Sequence, residues 1–398
     1  MSTVSESMYQ LGSKRSSIRE LFEYGRRRKA EIGAENVYDF SLGNPNVAPP
    51  ACVNQLLKQI IDESDPTALH GYTSAPGDPA TRQAVCDSLN RRYGTRFSTE
   101  QIYMTCGAAA SLCCCLAGLA CPGDEFVLSA PFIPQYTVFT GAVVAPLRVV
   151  SPLPETFQID LAAMGDAINE HTKAVLINSP NNPSGVVYTA QTIRGLCDLL
   201  RERSAQYGHP IFLISDEPYR EIVYDGVELP CLVKEYAYTL ICYSYSKSLS
   251  LPGERIGYVA VSYEMPDWKT VYAAVMGAGR ALGYVCAPAL FQKLVARMPD
   301  ETADMDVYRQ NRDLLVNSLR GFGYTCIPPQ GAFYLFVKAP EPDANAFCER
   351  AKQFELLLVP GDDFGCPGYV RISYCVSTDQ IRRSLPAFEK LMETYQKG

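Results

Sequence analysis

A lysine and an arginine in one short segment could carry covalent chemistry on a phosphorylated molecule. Lys247 follows Ser244, Tyr245 and Ser246, and Arg255 lies eight positions further along the chain. A lysine amine forms a Schiff base with an aldehyde once it has lost its proton, which a crowded cationic site favours. Arginine suits a dianionic phosphate because its planar guanidinium donates parallel hydrogen bonds. Pyridoxal phosphate carries both an aldehyde and a phosphate, so the segment suggests that cofactor.

A carboxylate at the end of an apolar run is a second candidate. Asp216 closes the run that begins at Ile211, and Tyr219 follows shortly after it. A buried carboxylate is costly unless it meets a cation. A protonated pyridine nitrogen is such a cation, and a ring that stays protonated is a strong electron sink. An aspartate that caps the next helix or turn would explain the same residue, so Asp216 alone is a weak signal.

Two other segments also lie where strands are predicted to end. The cluster from Asn178 to Gly185 is at minimum a tight turn, and an Asn amide within it could donate to a ligand oxygen. The stretch from Thr105 to Ser111 joins a strand to a helix, and its small residues would let a phosphate approach the helix N-terminus. A plain turn and a closely packed helix explain these residues equally well, so neither segment is specific by itself.

Short apolar runs alternate with longer helical stretches from about residue 100 to 265. The predicted strands are Gln101–Cys106, Glu125–Ser129, Val143–Val150, Lys173–Asn178, Ile211–Asp216, Thr239–Tyr243 and Ile256–Val261. The predicted helices include Ala108–Ala120, Leu161–Asn169 and Thr189–Tyr207. Strands that are apolar throughout and separated by helices are typical of a mostly parallel sheet covered on both faces. The sequence therefore predicts an α/β protein whose ligands bind beyond the carboxyl ends of the strands.

The pattern changes after Pro288 and predicts a smaller α+β domain. A long amphipathic segment runs from about Ala289 to Leu319, with a break near Met298. The elements predicted after it are strands Ala332–Val337, Leu356–Val359 and Tyr369–Tyr374 and a closing helix Thr378–Tyr395. A helix from Ser17 to about Ile32 lacks a core of its own and is assigned to the same domain. We predict a large domain over residues 47–295 and a small domain formed by residues 1–46 and 296–398.

Composition and charge argue against several classes of function. The chain has 398 residues, of which 47% are hydrophobic and 20% charged, as in an ordinary soluble globular protein. A net charge of −7 argues against a nucleic-acid partner. We expect no membrane span and no signal peptide, because the longest uncharged apolar run is short and the N-terminus carries an early charge. Fifteen cysteines without a Cys-x-x-Cys pair, and only three histidines, predict reduced thiols in a cytoplasmic protein without a metal site.

The candidate segments gain weight from their order along the chain. A phosphate-binding turn, an Asn turn, an Asp at a strand end, a Lys and an Arg follow one another. In this order they resemble the fold type I pyridoxal-phosphate aminotransferases of the aspartate aminotransferase class I/II family. The resemblance covers nearly the whole chain, because it extends to Ser41–Pro45, Gly71–Thr73 and Tyr369–Ser373. It implies a large domain with a mostly parallel sheet between helices, a smaller α+β domain, and pyridoxal 5'-phosphate as cofactor.

The resemblance also implies the catalytic residues. Lys247 would hold the cofactor as a Schiff base and act as the base that moves the substrate proton, and Asp216 would pair with the pyridine nitrogen. Tyr219 and Asn182 would donate to the phenolic oxygen of the cofactor. Asn182 is preferred to the other two asparagines of its turn because the sequence Asn-Pro-Ser-Gly begins there, and it would also contact the substrate.

Phosphate and substrate contacts follow from the same resemblance. Tyr72 would reach the phosphate in the neighbouring subunit, which implies a homodimer with shared active sites. Arg371 would clamp the substrate α-carboxylate, and the backbone of Gly43 would touch the same group. The residues that would form the phosphate cup within one subunit are Ala108, Ala109, Ser244, Ser246 and Arg255.

One segment departs from the family pattern. Relatives stack an aromatic ring on the pyridine at a position that aligns here with Ile133, next to Phe132. Either an aliphatic side chain covers the ring, or a small shift brings Phe132 over it. Since stacking contributes on the order of 1 kcal/mol, the cofactor prediction survives the change.

The implied reaction is a ping-pong transfer of an amino group from an L-amino acid to a 2-oxo acid such as 2-oxoglutarate. Arg280 and Arg19 could read the distal carboxylate of an aspartate-like donor, although a solvated surface arginine explains either one. We expect aspartate-like or broad specificity. A C–S β-lyase is one alternative, because the motifs around Lys247 do not separate the two reactions. An aromatic amino acid aminotransferase is another, since the 25 tyrosines could line an aromatic pocket. A regulator without turnover is least favoured, since the full catalytic set is present.

Overall fold

The computed structural model describes residues 3–13 and 17–396. The α-helices of this described part are α1 (Glu6–Ser13), α2 (Ser17–Ile32), α3 (Cys52–Glu63), α4 (Pro66–His70), α5 (Pro79–Tyr93), α6 (Ala108–Leu119), α7 (Gln135–Ala142), α8 (Leu161–Ala167), α9 (Ala190–Tyr207), α10 (Leu232–Glu235), α11 (Tyr245–Ser248), α12 (Trp268–Ala281), α13 (Ala289–Arg297), α14 (Asp306–Phe322), α15 (Ala344–Lys352) and α16 (Thr378–Gln396). Within the described ranges, none of these helices is both long enough and apolar enough to cross a membrane.

The β-strands of the same ranges are β1 (Tyr38–Asp39), β2 (Ile102–Thr105), β3 (Glu125–Ser129), β4 (Leu147–Val150), β5 (Thr172–Asn178), β6 (Phe212–Asp216), β7 (Thr239–Ser244), β8 (Gly257–Val261), β9 (Thr325–Cys326), β10 (Tyr334–Lys338), β11 (Leu356–Leu357), β12 (Val359–Pro360) and β13 (Tyr369–Ser373). They form a seven-stranded sheet, a four-stranded sheet and a parallel pair.

The chain divides into two compact units. The larger contains Pro45–Met305 and Gln330–Ala332, and the smaller contains Met1–Asn44, Asp306–Pro329 and Phe333–Gly398. Residues 296–305, which lie in the predicted small domain, belong to the larger unit in this division. Two contacts explain the difference, because Met298 is buried in a core of the larger unit and the amide of Ala303 donates to the carbonyl of Ser248 at 2.7 Å.

The larger unit is built around the seven-stranded sheet, whose strand order is β2-β8-β7-β6-β5-β3-β4. Strands β4, β3, β5, β6 and β7 run parallel, and β8 is antiparallel to both of its neighbours. The prediction of an α/β protein with a mostly parallel sheet is therefore confirmed. The carboxyl ends of the parallel strands gather at one edge, which is where such sheets bind ligands.

Both faces of this sheet are buried, which explains why its strands are apolar throughout. Leu128 and Ile214 belong to the hydrophobic core on one face, together with α6 and α12. The preceding residues in the same strands, Val127 and Leu213, belong to a different core that includes α8 and α9. Since successive side chains of a strand point to opposite faces, two covered faces favour apolar residues along the inner strands, whereas the edge strand β4 has an exposed Arg148.

One predicted strand is too long. The prediction began this strand at Val143, whereas β4 begins at Leu147. Helix α7 extends to Ala142, and the amides of Val143 and Ala145 both donate to the carbonyl of Thr140. These apolar residues therefore form the end of a helix and a turn, although their β-branched side chains favour a strand.

The smaller unit contains the antiparallel four-stranded sheet, in the order β12-β13-β10-β9. Strand β13 pairs with β10 so that Arg371 lies opposite Phe336. Helices α14 and α16 pack against each other, and β1 pairs with β11 in parallel. An α+β unit was predicted from the sequence, and α2 has the predicted bounds.

Backbone segments approach each other closely at Gly257, where β8 begins. A Cβ at this position would clash with the carbonyl oxygen of Tyr243 and lie 2.9 Å from the Cα of Gly107. We expect Gly257→Ala to lower the free energy of unfolding by about 1–3 kcal/mol, because both neighbours are backbone atoms. Urea unfolding followed by circular dichroism measures the loss. Gly321→Ala in α14, where no atom lies within 4 Å of the added Cβ, is the control and should not destabilise the protein. Equal effects of the two changes would contradict this packing argument.

Candidate active site

A cleft of about 200 Å³ in the larger unit lies at the carboxyl ends of β6 and β7 and at the start of α6. Eight of the residues predicted from the sequence line it, namely Ala108, Ala109, Ile133, Asp216, Ser244, Ser246, Lys247 and Arg255. Segments that are far apart in the chain are thus brought to one place by the parallel sheet. Leu112, Gln135, Phe139, Pro218 and Pro252 complete the lining.

One end of the cleft has the features of an anion-binding site. Helix α6 begins after Gly107, which has a φ of 86° and gives the helix no side-chain cap, so its first amides have no side-chain acceptor there. The hydroxyl of Ser244 donates to that of Ser246 at 2.8 Å, and Arg255 Nη1 lies 3.4 Å from the same Ser246 oxygen. A helix N-terminus, two hydroxyls and a guanidinium together suit a phosphate.

Gly107 is required at this end for two reasons. Its positive φ is disfavoured for any residue with a side chain, and a Cβ there would lie 2.9 Å from Arg255 Nη2. The glycine therefore leaves the space that the guanidinium occupies beside the start of α6. Arg255 has a φ of 52°, and its Nη1 donates to the carbonyl of Pro252 at 3.1 Å.

Asp216 lies at the end of β6 and is buried. The hydroxyl of Tyr136 donates to its Oδ2 at 2.7 Å, whereas its Oδ1 has no hydrogen-bond partner among the described residues. Burial raises the pKa of Asp216 to about 7, and the hydrogen bond from Tyr136 opposes that rise. The carboxylate therefore lacks one partner, and a cationic N–H group is what would satisfy it.

The Asn turn contacts the same strand end through Asn178. Its Nδ2 donates to the backbone carbonyl of Asp216 at 2.9 Å, and its Oδ1 accepts from the amide of Asn182 at 2.8 Å. Asn182 Nδ2 in turn lies 3.5 Å from the hydroxyl of Tyr219. The Asn178 side chain thereby links the turn that contains Asn182 to the strand that contains Asp216. One hydrogen-bond network holds Asn182 and Asp216 near each other.

Lys247 lies in the single helical turn α11, directly after β7. The side chain of Ser244 accepts a hydrogen bond from the amide of Ser246 at 3.2 Å and caps this turn. The cap explains the small hydroxyl residue before the lysine, because it fixes the backbone from which Lys247 extends.

Ile133 and Phe132 differ in their surroundings. Ile133 lines the cleft, whereas Phe132 does not and is buried in a hydrophobic core against which Ile133 packs. This arrangement favours the first of the two alternatives for the ring face, an aliphatic cover by Ile133.

Two predicted substrate residues lie together in the smaller unit. Arg371 is buried in β13 and donates through Nη2 to the carbonyl of Ser41. Its guanidinium lies 5.0 Å from the ring centre of Tyr334 and 4.8 Å from that of Phe364. A Cβ at Gly43 would clash with the Tyr334 hydroxyl, so Gly43 and Arg371 both pack against that tyrosine.

Three more of the predicted residues that do not line the cleft are exposed. Tyr72 is 97% exposed in the single chain. Arg280 is exposed in the last turn of α12, and Arg19 is exposed in the first turn of α2 in the smaller unit. Their predicted roles stay predictions, since each concerns a substrate or a second subunit.

The contacts of Tyr136 and Asn178 with Asp216 were not predicted from the sequence. Both lie in segments that had been singled out, but no role was predicted for Tyr136, and Asn178 was considered only as a direct ligand donor. Tyr136 follows the end of β3, which is separated from β6 by β5. Its contact with Asp216 depends on how α7 packs on the sheet, and the sequence offers no separate signal for it.

The groups around the cleft fit pyridoxal phosphate. An aldehyde needs an amine, which Lys247 has, and a phosphate needs the donors at the start of α6. A pyridinium needs a buried carboxylate with an available oxygen, and Asp216 Oδ1 is such an atom. Three parts of one molecule therefore each have a matching group on the protein.

Comparison with known sequences agrees with this chemistry. The sequence profile of the family described as aminotransferase class I and II matches residues 35–388. The chain belongs to this family. It is therefore a pyridoxal-phosphate-dependent aminotransferase with the type I fold, as predicted, and members of the family act on amino acids and 2-oxo acids.

Individual aminotransferases resemble the chain over nearly their full length. An aspartate aminotransferase from Thermotoga maritima is 30% identical over 386 residues, which cover 95% of this chain and 97% of the relative. An aspartate/prephenate aminotransferase from Thermus thermophilus is 28% identical over 358 residues, which cover 88% of this chain and 89% of the relative.

Solved structures give the same result for the fold. An amino transferase from Eubacterium rectale is 56% identical, covers 99% of this chain and 100% of its own, and superposes with a TM-score of 0.98. An aspartate aminotransferase from Thermus thermophilus, solved with maleate, is 25% identical, covers 98% of this chain and 100% of its own, and has a TM-score of 0.85.

The raised pKa of Asp216 gives this aminotransferase a pH-dependent stability without its cofactor. The folded pKa of about 7 exceeds the ordinary 3.8, so the stability contribution is fully present below pH 3.8 and is lost as pH rises through 7. The side chain of the Asp216→Asn variant cannot ionise, so this variant lacks the loss. Relative to the wild type, its free energy of unfolding should therefore be about 4 kcal/mol more favourable at pH 8 than at pH 4. Urea unfolding of both cofactor-free proteins across this range measures the difference. A difference that does not change with pH would contradict the effect of burial.

Proposed function

We propose that this aminotransferase moves the amino group of an aspartate-like L-amino acid to a 2-oxo acid such as 2-oxoglutarate, with pyridoxal phosphate bound in the cleft. The observation that carries the cofactor site is the buried Asp216 carboxylate, which lines the same cleft as Lys247 and has one oxygen without a hydrogen-bond partner in the described ranges. The printed names of the Thermotoga maritima and Thermus thermophilus relatives support the choice of aspartate.

Each part of the cofactor has proposed partners in the larger unit. Asp216 would accept from the pyridine nitrogen, Tyr219 and Asn182 would donate to the phenolic oxygen, and Ile133 would cover the ring. Lys247 would join the aldehyde. The phosphate would be held by the amides of Ala108 and Ala109, the hydroxyls of Ser244 and Ser246, and the guanidinium of Arg255.

Lys247 is the proposed base of the reaction. Bound pyridoxal phosphate supplies an aldehyde that joins the substrate amine and an electron-poor ring that stabilises negative charge at the substrate Cα. The amine of Lys247 would take the proton from that Cα, since it lines the same cleft. Asp216 would stay ionised and hold a proton on the pyridine nitrogen. The amino acid and the 2-oxo acid would use these residues in turn, which is a ping-pong order.

Arg371 is the proposed clamp for the substrate α-carboxylate. Burial and two flanking aromatic rings fix its guanidinium in one orientation. A planar, fixed guanidinium can donate two parallel hydrogen bonds to a carboxylate. The backbone of Gly43, which packs against Tyr334 beside it, would touch the same carboxylate.

A second carboxylate on the donor would need a second cation. Support for a dicarboxylic substrate comes from the Thermus thermophilus structure, which was solved with maleate, a small dicarboxylate. Arg280 and Arg19 are the proposed candidates for this contact, and both are exposed in the single chain.

We also propose a homodimer in which Tyr72 completes the phosphate site of the other subunit. A large aromatic side chain that is 97% exposed has no packing role within its own chain. Large exposed apolar groups on a globular protein commonly mark an interface.

The donor can be identified from the visible absorption of the bound cofactor. L-Aspartate should abolish the band of the lysine-linked form within one half-reaction, and most of the other nineteen amino acids should leave it unchanged. Arg280→Ala or Arg19→Ala should raise the KM for aspartate about tenfold or more if that arginine reads the distal carboxylate. Lys247→Ala should bind the cofactor without forming this band.

Three results would contradict parts of this proposal. A protein without the band, even after pyridoxal phosphate is added, would exclude the cofactor site. Unchanged aspartate turnover in both arginine variants would exclude the distal-cation role. Release of pyruvate and ammonia from cystathionine without any 2-oxo acid would indicate the lyase.

Hybrid dimers test the role of Tyr72 in the other subunit. Lys247→Ala and Tyr72→Ala subunits should each give nearly inactive homodimers. When the two are co-expressed with different tags and the mixed dimer is purified, one of its sites should be native and its activity should reach about half that of the wild type. If Tyr72 served its own subunit, neither site of the mixed dimer would be native and the activity would stay low.

A further inference from the structure

Tyr136 holds one oxygen of the Asp216 carboxylate. It lies in the first turns of α7, its side chain is 2% exposed, and its hydroxyl donates to Oδ2 at 2.7 Å. Asp216 is 4% exposed, and its Oδ1 has no hydrogen-bond partner within the described part of the chain. Tyr136 thus fixes one side of the carboxylate and leaves the other oxygen for a ligand.

The direction of this hydrogen bond is set by the tyrosine. Burial, followed by the nearby Asp216 charge, raises the pKa of Tyr136 well above its ordinary value. The phenol therefore keeps its proton and donates to the carboxylate. A donated hydrogen bond stabilises the ionised form of a carboxyl group, and it is stronger when the acceptor is charged.

We propose that Tyr136 is a positioning residue that keeps the Asp216 carboxylate oriented and charged for the pyridine nitrogen of the cofactor. The identity of that ligand rests on the proposed function, whereas the contact between Tyr136 and Asp216 does not. Tyr136 itself touches neither the substrate nor the reacting atoms in this mechanism.

Other titratable groups near Asp216 do not replace this contact. The neighbouring Glu217 carboxylate raises the pKa of Asp216 and so opposes its ionisation. Cys242 on the adjacent strand β7 is buried, and its thiol pKa lies well above the ordinary value because of that burial. Tyr219 and Tyr188 lie close enough to Tyr136 to raise its pKa, and Lys247 and Arg255 line the same cleft as Asp216. Tyr136→Phe leaves all of them in place, so its effect isolates one hydroxyl.

The test is a double-mutant cycle of Tyr136→Phe and Asp216→Asn, read as a function of pH. Tyr272→Phe is the matched control. It removes another tyrosine hydroxyl from the same hydrophobic core, where that group donates to the carbonyl of Ile102 at 2.9 Å. Each full-length variant is measured with its cofactor and after the cofactor has been removed.

The first readout is the stability of the cofactor-free proteins between pH 6 and pH 9. Loss of the donor raises the folded pKa of Asp216 above its value of about 7, so the variant continues to lose stability at pH values where the wild type has levelled off. Over this range the unfolding equilibrium constant of Tyr136→Phe should therefore rise about tenfold more than that of the wild type. In the Asp216→Asn background the same change should give a deficit that does not vary with pH. Tyr272→Phe should also give a deficit that is constant.

The second readout is the dissociation constant of pyridoxal phosphate at pH 7.5, from a fluorescence titration. Tyr136→Phe should weaken binding about threefold to tenfold, since part of its Asp216 must lose a proton to pair with the ring. Tyr272→Phe should bind as the wild type does.

The outcomes separate this inference from the proposed function. The positioning role would be overturned if Tyr136→Phe, with Asp216 unchanged, lost the same stability at every pH. It would also be overturned if this variant bound the cofactor as tightly as the wild type does. A wild-type protein that does not bind pyridoxal phosphate would contradict the proposed function instead, and the cofactor-free series would still decide whether Tyr136 sets the charge of Asp216.

Discussion

The burial of one carboxylate is the constraint on which the candidate site depends. Asp216 lies at the end of a central strand, where β5 and β7 pair with β6 on either side and exclude water. A charged group in such a place loses its hydration and has to be compensated by other partners. Tyr136 compensates one oxygen, and Asn178 secures the backbone carbonyl of the same residue. The other oxygen is left for a cation, so the incomplete compensation is what makes the place a binding site.

The phosphate end of the cleft depends on a steric constraint of a different kind. Gly107 and Gly257 approach each other so closely that a side chain on Gly257 would contact the Cα of Gly107. This approach brings the start of α6 next to the start of β8, and Arg255 lies just before that strand. A helix N-terminus and a guanidinium can then face one anion, although α6 and Arg255 are distant in sequence. The site therefore depends on both glycines, because a side chain at either position would collide with a neighbouring group.

How much of this could be predicted from the sequence differs between elements. Strands β3, β5 and β6 were predicted to within one residue, because fully buried parallel strands are apolar from end to end and have polar turns at their limits. The same property misled the prediction at Val143, since a short apolar run at the end of α7 has no feature that distinguishes it from a strand. Eight of the residues that line the cleft were found because they occur in linear motifs. Tyr136 was missed because its contact arises from the packing of a helix, which leaves no trace in the spacing of residues.

An aliphatic cover of the cofactor ring by Ile133, as proposed, would increase the importance of these polar contacts. An aromatic ring stacked on the pyridine would contribute on the order of 1 kcal/mol, and Ile133 cannot supply the electrostatic part of that contact. The affinity for the proposed cofactor must then come to a greater extent from the anion site and from the charge of Asp216. Because burial brings the pKa of Asp216 to about 7, that charge is incomplete at neutral pH before the cofactor binds, even with the hydrogen bond from Tyr136. Loss of that donor would reduce the charge further, so the contact between Tyr136 and Asp216 matters more in this chain than it would beneath a stacked aromatic ring.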